Sequence, residues 1–193
     1  MEALWTTEED INSQQFEKED LQNLDVTFKR IEHSTFINCN FTASTFDGTL
    51  FHHIVFQNCD LSNCTFQNVG FHNCSFQNCK MVGVELEKSI LKETKVENCV
   101  VKYVNLVNND FKNVKLEESD FTETRWYDNR LKAVTFSNLV LINTEFAHTK
   151  LKNIDLSDSK IEGIKIQAEC LEGVTISYEQ AALVVGTIGI KVV

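Results

Sequence analysis

No stretch of this 193-residue chain is apolar for long enough to cross a bilayer. The longest strongly apolar run lies near residues 181–190, well short of the roughly 20 residues that a spanning helix needs. Basic residues are also scarce, 18 against 28 acidic, and the formal charge of -10 argues against general affinity for nucleic-acid phosphates or an anionic membrane. A basic or amphipathic partner suits such a surface better. The opening Met1-Glu2-Ala3-Leu4-Trp5, followed by Glu8, Glu9 and Asp10, lacks the positive flank and apolar run of a secretory signal, so a soluble cytoplasmic protein is expected. Catalytic signatures are missing too. There is no G-x-S-x-G, no phosphate loop, no cysteine with a matched histidine, and no C-x-x-C pair. The chain is therefore expected not to be an enzyme and to use neither a cofactor nor a metal.

What is present is a period of five. From Phe16 to Ile176 every fifth residue is large and apolar, at all 33 positions, and thirteen of the fourteen Phe residues lie on this register. No insertion or deletion breaks it over 161 residues. The position two residues earlier is mostly small or β-branched: Ser34, Cys39, Ser44, Thr49, Cys59, Cys64 and so on to Thr94. An α-helix would spread a period of five around its circumference, and a flat strand requires a period of two. A coil that turns a corner every five residues satisfies the pattern, because the large and the small residue then always face the axis. Asn fills thirteen of the 33 positions two after the large residue, where its tolerance of left-handed backbone suits a corner.

Segments such as Cys64-Thr65-Phe66-Gln67-Asn68 and Ser119-Asp120-Phe121-Thr122-Glu123 make the sequence resemble the pentapeptide repeat proteins. That resemblance implies an all-β fold, a right-handed quadrilateral parallel β-helix with four pentapeptides per coil. Twenty residues then form one coil, and about eight coils stacked at about 4.8 Å give a rod roughly 39 Å long. The expected organisation is an N-terminal cap over residues 1–15, the repeat over 16–176, and a short C-terminal helix and strand over 177–193 that cap or dimerise.

A twenty-residue coil sorts the chemistry-bearing side chains. Cys39, Cys59, Cys79 and Cys99 stack in one internal column as buried reduced thiols, Cys64 and Cys74 also point inward, and Cys170 alone faces out. His33, His53, His52 and His72 fall on one face in two pairs spaced by twenty. No carboxylate joins them at ligand spacing in the sequence, so a solvated stripe is expected there and not a metal site. By charge, the faces centred on Phe16, Leu21 and Val26 each carry six acidic and three basic residues between 14 and 178. The Ile31 face reverses this with eight basic residues, Lys29, Arg30, Lys92, Lys112, Arg130, Lys132, Lys150 and Lys152, against five acidic. Glu117, Glu118, Asp120, Glu123 and Asp128 concentrate acid within a single coil and form the candidate partner-binding surface.

The ends need caps, since an open coil exposes core and unpaired backbone. Leu4 and Trp5 are expected to lid the first coil. Leu24 and Phe28 depart from the pattern and predict an irregular first turn. After Ile176 the run Ser177-Tyr178-Glu179-Gln180 reads as a capping box, Ala181 to Val185 as a short helix stopped by Gly186, and Ile188, Ile190 and Val192 as an alternating strand. Ala181, Leu183, Val184, Ile188, Ile190 and Val192 are the candidate dimerisation residues.

Ser34-Thr35-Phe36-Ile37-Asn38-Cys39-Asn40-Phe41, Arg125-Trp126, and the tail with Leu171-Glu172-Gly173-Val174, Gln180-Ala181 and Ile188-Gly189-Ile190 look like the Qnr group of bacterial quinolone-resistance proteins. What that resemblance implies is a homodimer joined through its C-terminal ends. Such a rod imitates duplex DNA, binds DNA gyrase and topoisomerase IV, and protects them from quinolones, without binding nucleic acid or membrane itself. Qnr proteins of Gram-negative bacteria carry loops that interrupt the coils, whereas this register is unbroken. Gyrase inhibition without protection, or a scaffold or immunity role with another protein partner, are the alternatives.

Overall fold

Because the same two inward positions and one corner position recur in fixed order, each pentapeptide forms one side of a coil. In the computed structural model, which describes Trp5 and residues 10–191, the chain winds into a quadrilateral parallel β-helix of about eight coils. Three sides are continuous parallel sheets, two of seven strands and one of eight, each strand only two or three residues long. Each pairs with the strand twenty residues on, as in Phe36↔Phe56, Phe46↔Phe66 and Phe51↔Phe71. The fourth side, centred on Leu21, is held by isolated bridges along Asp20, Asn40, Asp60, Lys80, Val100 and Asp120. All thirteen corner Asn residues have left-handed φ, between 50° and 65°. At eleven of these corners the amide donates to the carbonyl nineteen residues later, as Asn58 does to Gln77 at 2.9 Å. The corners thus extend the ladder instead of interrupting it.

The axis is filled as the five-residue period requires. Twenty-nine of the 33 large positions are buried; Met81, Leu131, Leu171 and Ile176 are partly buried against the same core. In the N-terminal half the rings stack coil on coil: Phe36, Phe56 and Phe76 follow one another at 5.2 and 4.9 Å, nearly parallel. The stack gives way to Met81, Leu86, Leu91, Val96, Val101 and Leu106, and these slimmer side chains leave an apolar cavity of about 50 Å³ on the axis. Val96→Leu extends into that space. It is expected to raise the stability measured by urea unfolding by about 1 kcal/mol.

The small inward positions form their own ladder. The Val69 amide donates to Ser89 Oγ, Ser89 to Asn109 Oδ1, Asn109 to Asn129 Oδ1 and Asn129 to Thr149 Oγ1, at 2.9 to 3.1 Å. Two amide side chains are therefore admitted to the interior because every polar atom they bring finds a partner there. The thiols of Cys39, Cys59, Cys79 and Cys99 lie in the predicted column, each donating to a carbonyl of the preceding coil. Burial pushes the Cys64 and Cys74 thiols up to about 12, which keeps them protonated and unreactive.

Several expectations need correction. The first coil is regular, with Val26 paired to Phe46 and Phe16 to Phe36. Leu24 occupies a small inward position, and Phe28 takes a corner with φ 50° and lays its exposed ring over Gly48, which has no Cβ to obstruct it. Cys170 does not face out but is fully buried, because a 3-10 turn over Ala168–Cys170 replaces a strand there. Lys29 also lies at an inward position and is buried, so the basic face is smaller than counted.

At the N-terminal end Trp5 is buried against Phe16, Phe36 and Phe41, as a lid requires, while Leu4 lies outside the described residues. At the other end a helix, α1 (Tyr178–Thr187), starts from the predicted capping box: Ser177 Oγ accepts from the Gln180 amide, and Gln180 Oε1 from that of Ser177. The helix runs through Gly186 and stops before Gly189, whose φ of 82° supplies the left-handed turn. Ile188 and Ile190 are not in a strand, and Val192 lies outside the described residues. Gln180 Nε2 donates to the Leu156 and Ser159 carbonyls at 2.8 and 2.7 Å, which fastens α1 over the last coil.

Candidate functional site

The three sheet sides and the bridged side expose their outward residues as columns, each spaced by one coil. Across these columns the five candidate acidic residues separate into two kinds. Glu117 is the last residue of the strand Lys115–Glu117, where Lys95 Nζ reaches it at 2.8 Å and also reaches Glu97 at 2.9 Å. Asp120 lies on the bridged side, 2.9 Å from Lys102 Nζ, with its Oδ1 accepting from the Thr122 amide and hydroxyl. Its partial burial alone would push the carboxyl up, but the bonds from Thr122 and Lys102 outweigh this and hold it below the usual carboxylate range. Glu118, Glu123 and Asp128 occupy three successive corners of one coil, with φ of 47°, 57° and 54°. All three are exposed, and among the described residues no cation pairs with them. The acidic coil is real as a place, but its uncompensated charge is at its corners.

The basic face carries a feature that reading along the chain conceals. Lys92 pairs with Lys112 and Lys112 with Lys132 in strand register, and Lys152 follows twenty residues on. Lys92 lies 3.8 Å from Glu93, while among the described residues no carboxylate pairs with Lys112, Lys132 or Lys152. Beside them Arg130 forms a two-pronged pair with Asp110. Like charges directly opposite on neighbouring strands repel. Lys112→Glu, placed between Lys92 and Lys132, is expected to raise the melting temperature, corresponding to roughly 0.5–1 kcal/mol at low ionic strength and less in high salt.

The histidines do meet as the spacing of twenty requires, and here too a neighbour was missed. His33, His52 and His53 bring ring nitrogens to within 4.8 Å of one another. Glu32, paired in register with His52, sets its Oε1 3.8 Å from His52 Nδ1, so a carboxylate does join the group. Burial, Lys92 and His52 together hold His72 below the ordinary imidazole value.

At the C-terminal end, Val184 is buried by the chain's own last coil and Ala181 is half-buried. The candidate dimerisation residues left exposed are Leu183, Ile188 and Ile190.

No concave pocket brings catalytic groups together among the described residues. The open hollow at the helix end is lined by Phe146, Ile164, Ile166 and Ile188 with Glu145 and Lys165, and a shallow cleft by Tyr103, Glu123, Arg125, Glu145 and Lys165.

Two family models describing pentapeptide repeats match the sequence, one over residues 34–69 and the other over 69–146, together more than half of the chain. The chain belongs to the pentapeptide repeat proteins. Comparison with curated proteins gives no match. Among solved pentapeptide repeat structures, it is similar to HetL, involved in heterocyst differentiation regulation in the cyanobacterium Nostoc sp., with 13% identity, 86% of this chain and 89% of that chain covered, and a TM-score of 0.42. It is also similar to full-length QnrB1, a plasmid-mediated fluoroquinolone resistance protein, with 20% identity, coverage of 94% and 100%, and a TM-score of 0.35. No helix of the described residues is long and apolar enough to cross a membrane.

Proposed function

We propose that this pentapeptide repeat protein is a binding rod and not an enzyme, and that it imitates duplex DNA toward the type II topoisomerases, DNA gyrase and topoisomerase IV, and shields them from quinolones. One observation carries the reading: acidic groups with no ion-pair partner among the described residues, Glu118, Glu123 and Asp128, stand on the corners of an unbroken rod. A basic DNA-binding channel meets fixed negative charge there, as it would along a phosphate backbone. The imitation is partial. The coils between residues 14 and 178 carry 23 acidic and 17 basic residues, a net -6, against about 23 charges on duplex DNA of about the same length. The likeness of the tail to the Qnr group supports the same reading, with Leu183, Ile188 and Ile190 as the surface that joins two copies end to end.

The test is a gyrase supercoiling assay with ciprofloxacin, into which the purified protein is titrated beside a drug-free control. Rescue of supercoiling is the expected result. Inhibition without rescue makes the protein a gyrase modulator and sinks the protective role. The lysine column favours a second reading, a scaffold for an acidic protein partner, and this is the reading that remains if gyrase is unaffected.

A further inference from the structure

We propose that His33, His52 and His53, with Glu32 beside them, form a surface site for a divalent transition metal ion such as Zn²⁺. The site is independent of the topoisomerase reading. It is built from two adjacent columns on consecutive coils. One is the outward strand column Glu32–His52, paired in register; the other is the corner column His33–His53. The backbone beneath is fixed, since the His33 amide donates to the His52 carbonyl and that of His53 to the His72 carbonyl, both at 2.9 Å. Ligand positions are therefore set by the coil, and only side-chain torsions remain to be adjusted.

The side chains stand close enough to converge. The His33 and His53 rings stack at 5.0 Å, the His52 and His53 rings meet edge to face at 4.3 Å, and the ligand nitrogens lie within 4.8 Å of one another. Nitrogens bound to one zinc ion at about 2.0–2.1 Å lie about 3.4 Å apart, so the rings must turn inward by a modest rotation. His33 and His53 are exposed and the stack holds them only weakly, which leaves them free to make that turn. Glu32 Oε1, 3.8 Å from His52 Nδ1, either completes a tetrahedral set or orients the His52 ring from behind. Arg30, 3.8 Å from the same carboxylate, must release it in the first case. Three imidazoles and one carboxylate are a donor set for zinc, copper or nickel and a poor one for magnesium or calcium, which take oxygen ligands. The ion would join two consecutive coils near the N-terminal end of the rod.

Calorimetric titration of the full chain with ZnCl₂ near neutral pH tests the site. One ion per chain is expected, bound in the micromolar range, with no heat from MgCl₂ or CaCl₂. The variant carrying His33→Asn and His53→Asn keeps the corners, because Asn holds the same left-handed backbone at thirteen other corners. It is expected to fold, by circular dichroism, and to bind at least 30-fold more weakly. His148→Asn, whose ring contacts Glu169 well away from the site, should bind as the parent does. Zinc binding that survives in the double variant, or no binding to the parent at 100-fold excess of zinc over protein, overturns the proposal.

Discussion

Phe56→Ala is expected to cost about 3–5 kcal/mol, at the upper end for a single core truncation. Phe56 is 1% exposed and lies between Phe36 and Phe76, at 5.2 and 4.9 Å, in a nearly parallel stack, while Phe41 and Phe51 meet it edge-on at 5.9 and 5.8 Å. Removing the ring takes away the transfer free energy of a buried aromatic and four ring contacts at once. Strand pairing above and below pins the backbone, so the walls cannot collapse into the gap. Each coil touches only its two neighbours, so the loss should be local at first. Urea unfolding followed by tryptophan fluorescence reads the cost. Hydrogen exchange should show lost protection around residues 36–76 before the coils near Trp126 respond. The same truncation at Leu131, which is only partly buried, should cost less than half as much.

The architecture was legible because one rule applies at every side of every coil. A large residue every fifth position can be inside only if the chain turns every five, and Asn at the corners marks where it turns. The capping box was legible for the same reason, since Ser177 and Gln180 satisfy each other within one turn. What escaped the sequence is what residues twenty apart do to one another. Phe28 looked like a break in the pattern, yet it sits over Gly48 in the next coil without disturbing the ladder. Glu32 is distant from His52 along the chain and beside it in space. Glu117 and Asp120 read as free acid, but Lys95 and Lys102, eighteen to twenty-two residues earlier, neutralise them. Cys170 and the expected strand at Ile188 and Ile190 escaped for another reason. Near the end of the rod no further coil pairs with the strands, and turns and a helix take their place.

That difference between paired and unpaired acid fixes the second large expected effect. Glu118→Lys, Glu123→Lys and Asp128→Lys together should weaken topoisomerase binding by more than 100-fold, whereas Glu117→Gln with Asp120→Asn should change it by less than about threefold. The first set reverses three charges that no cation among the described residues offsets. The second removes carboxylates whose charge Lys95 and Lys102 already offset, and frees those lysines in exchange. Folding should survive the reversal, because Lys18 and Lys88 already hold the same corner conformation at φ 57° and 51°. Surface plasmon resonance against immobilised gyrase, repeated at two salt concentrations, measures both sets. The parent's affinity should fall steeply with salt, and the corner variant should retain little salt dependence, because screening acts on the charges that make the contact. Equal loss in the two sets would place the contact along the acidic sides and not at the corners. Unchanged binding in the corner variant would remove the acidic coil from the interface and with it the ground for reading this rod as a DNA mimic.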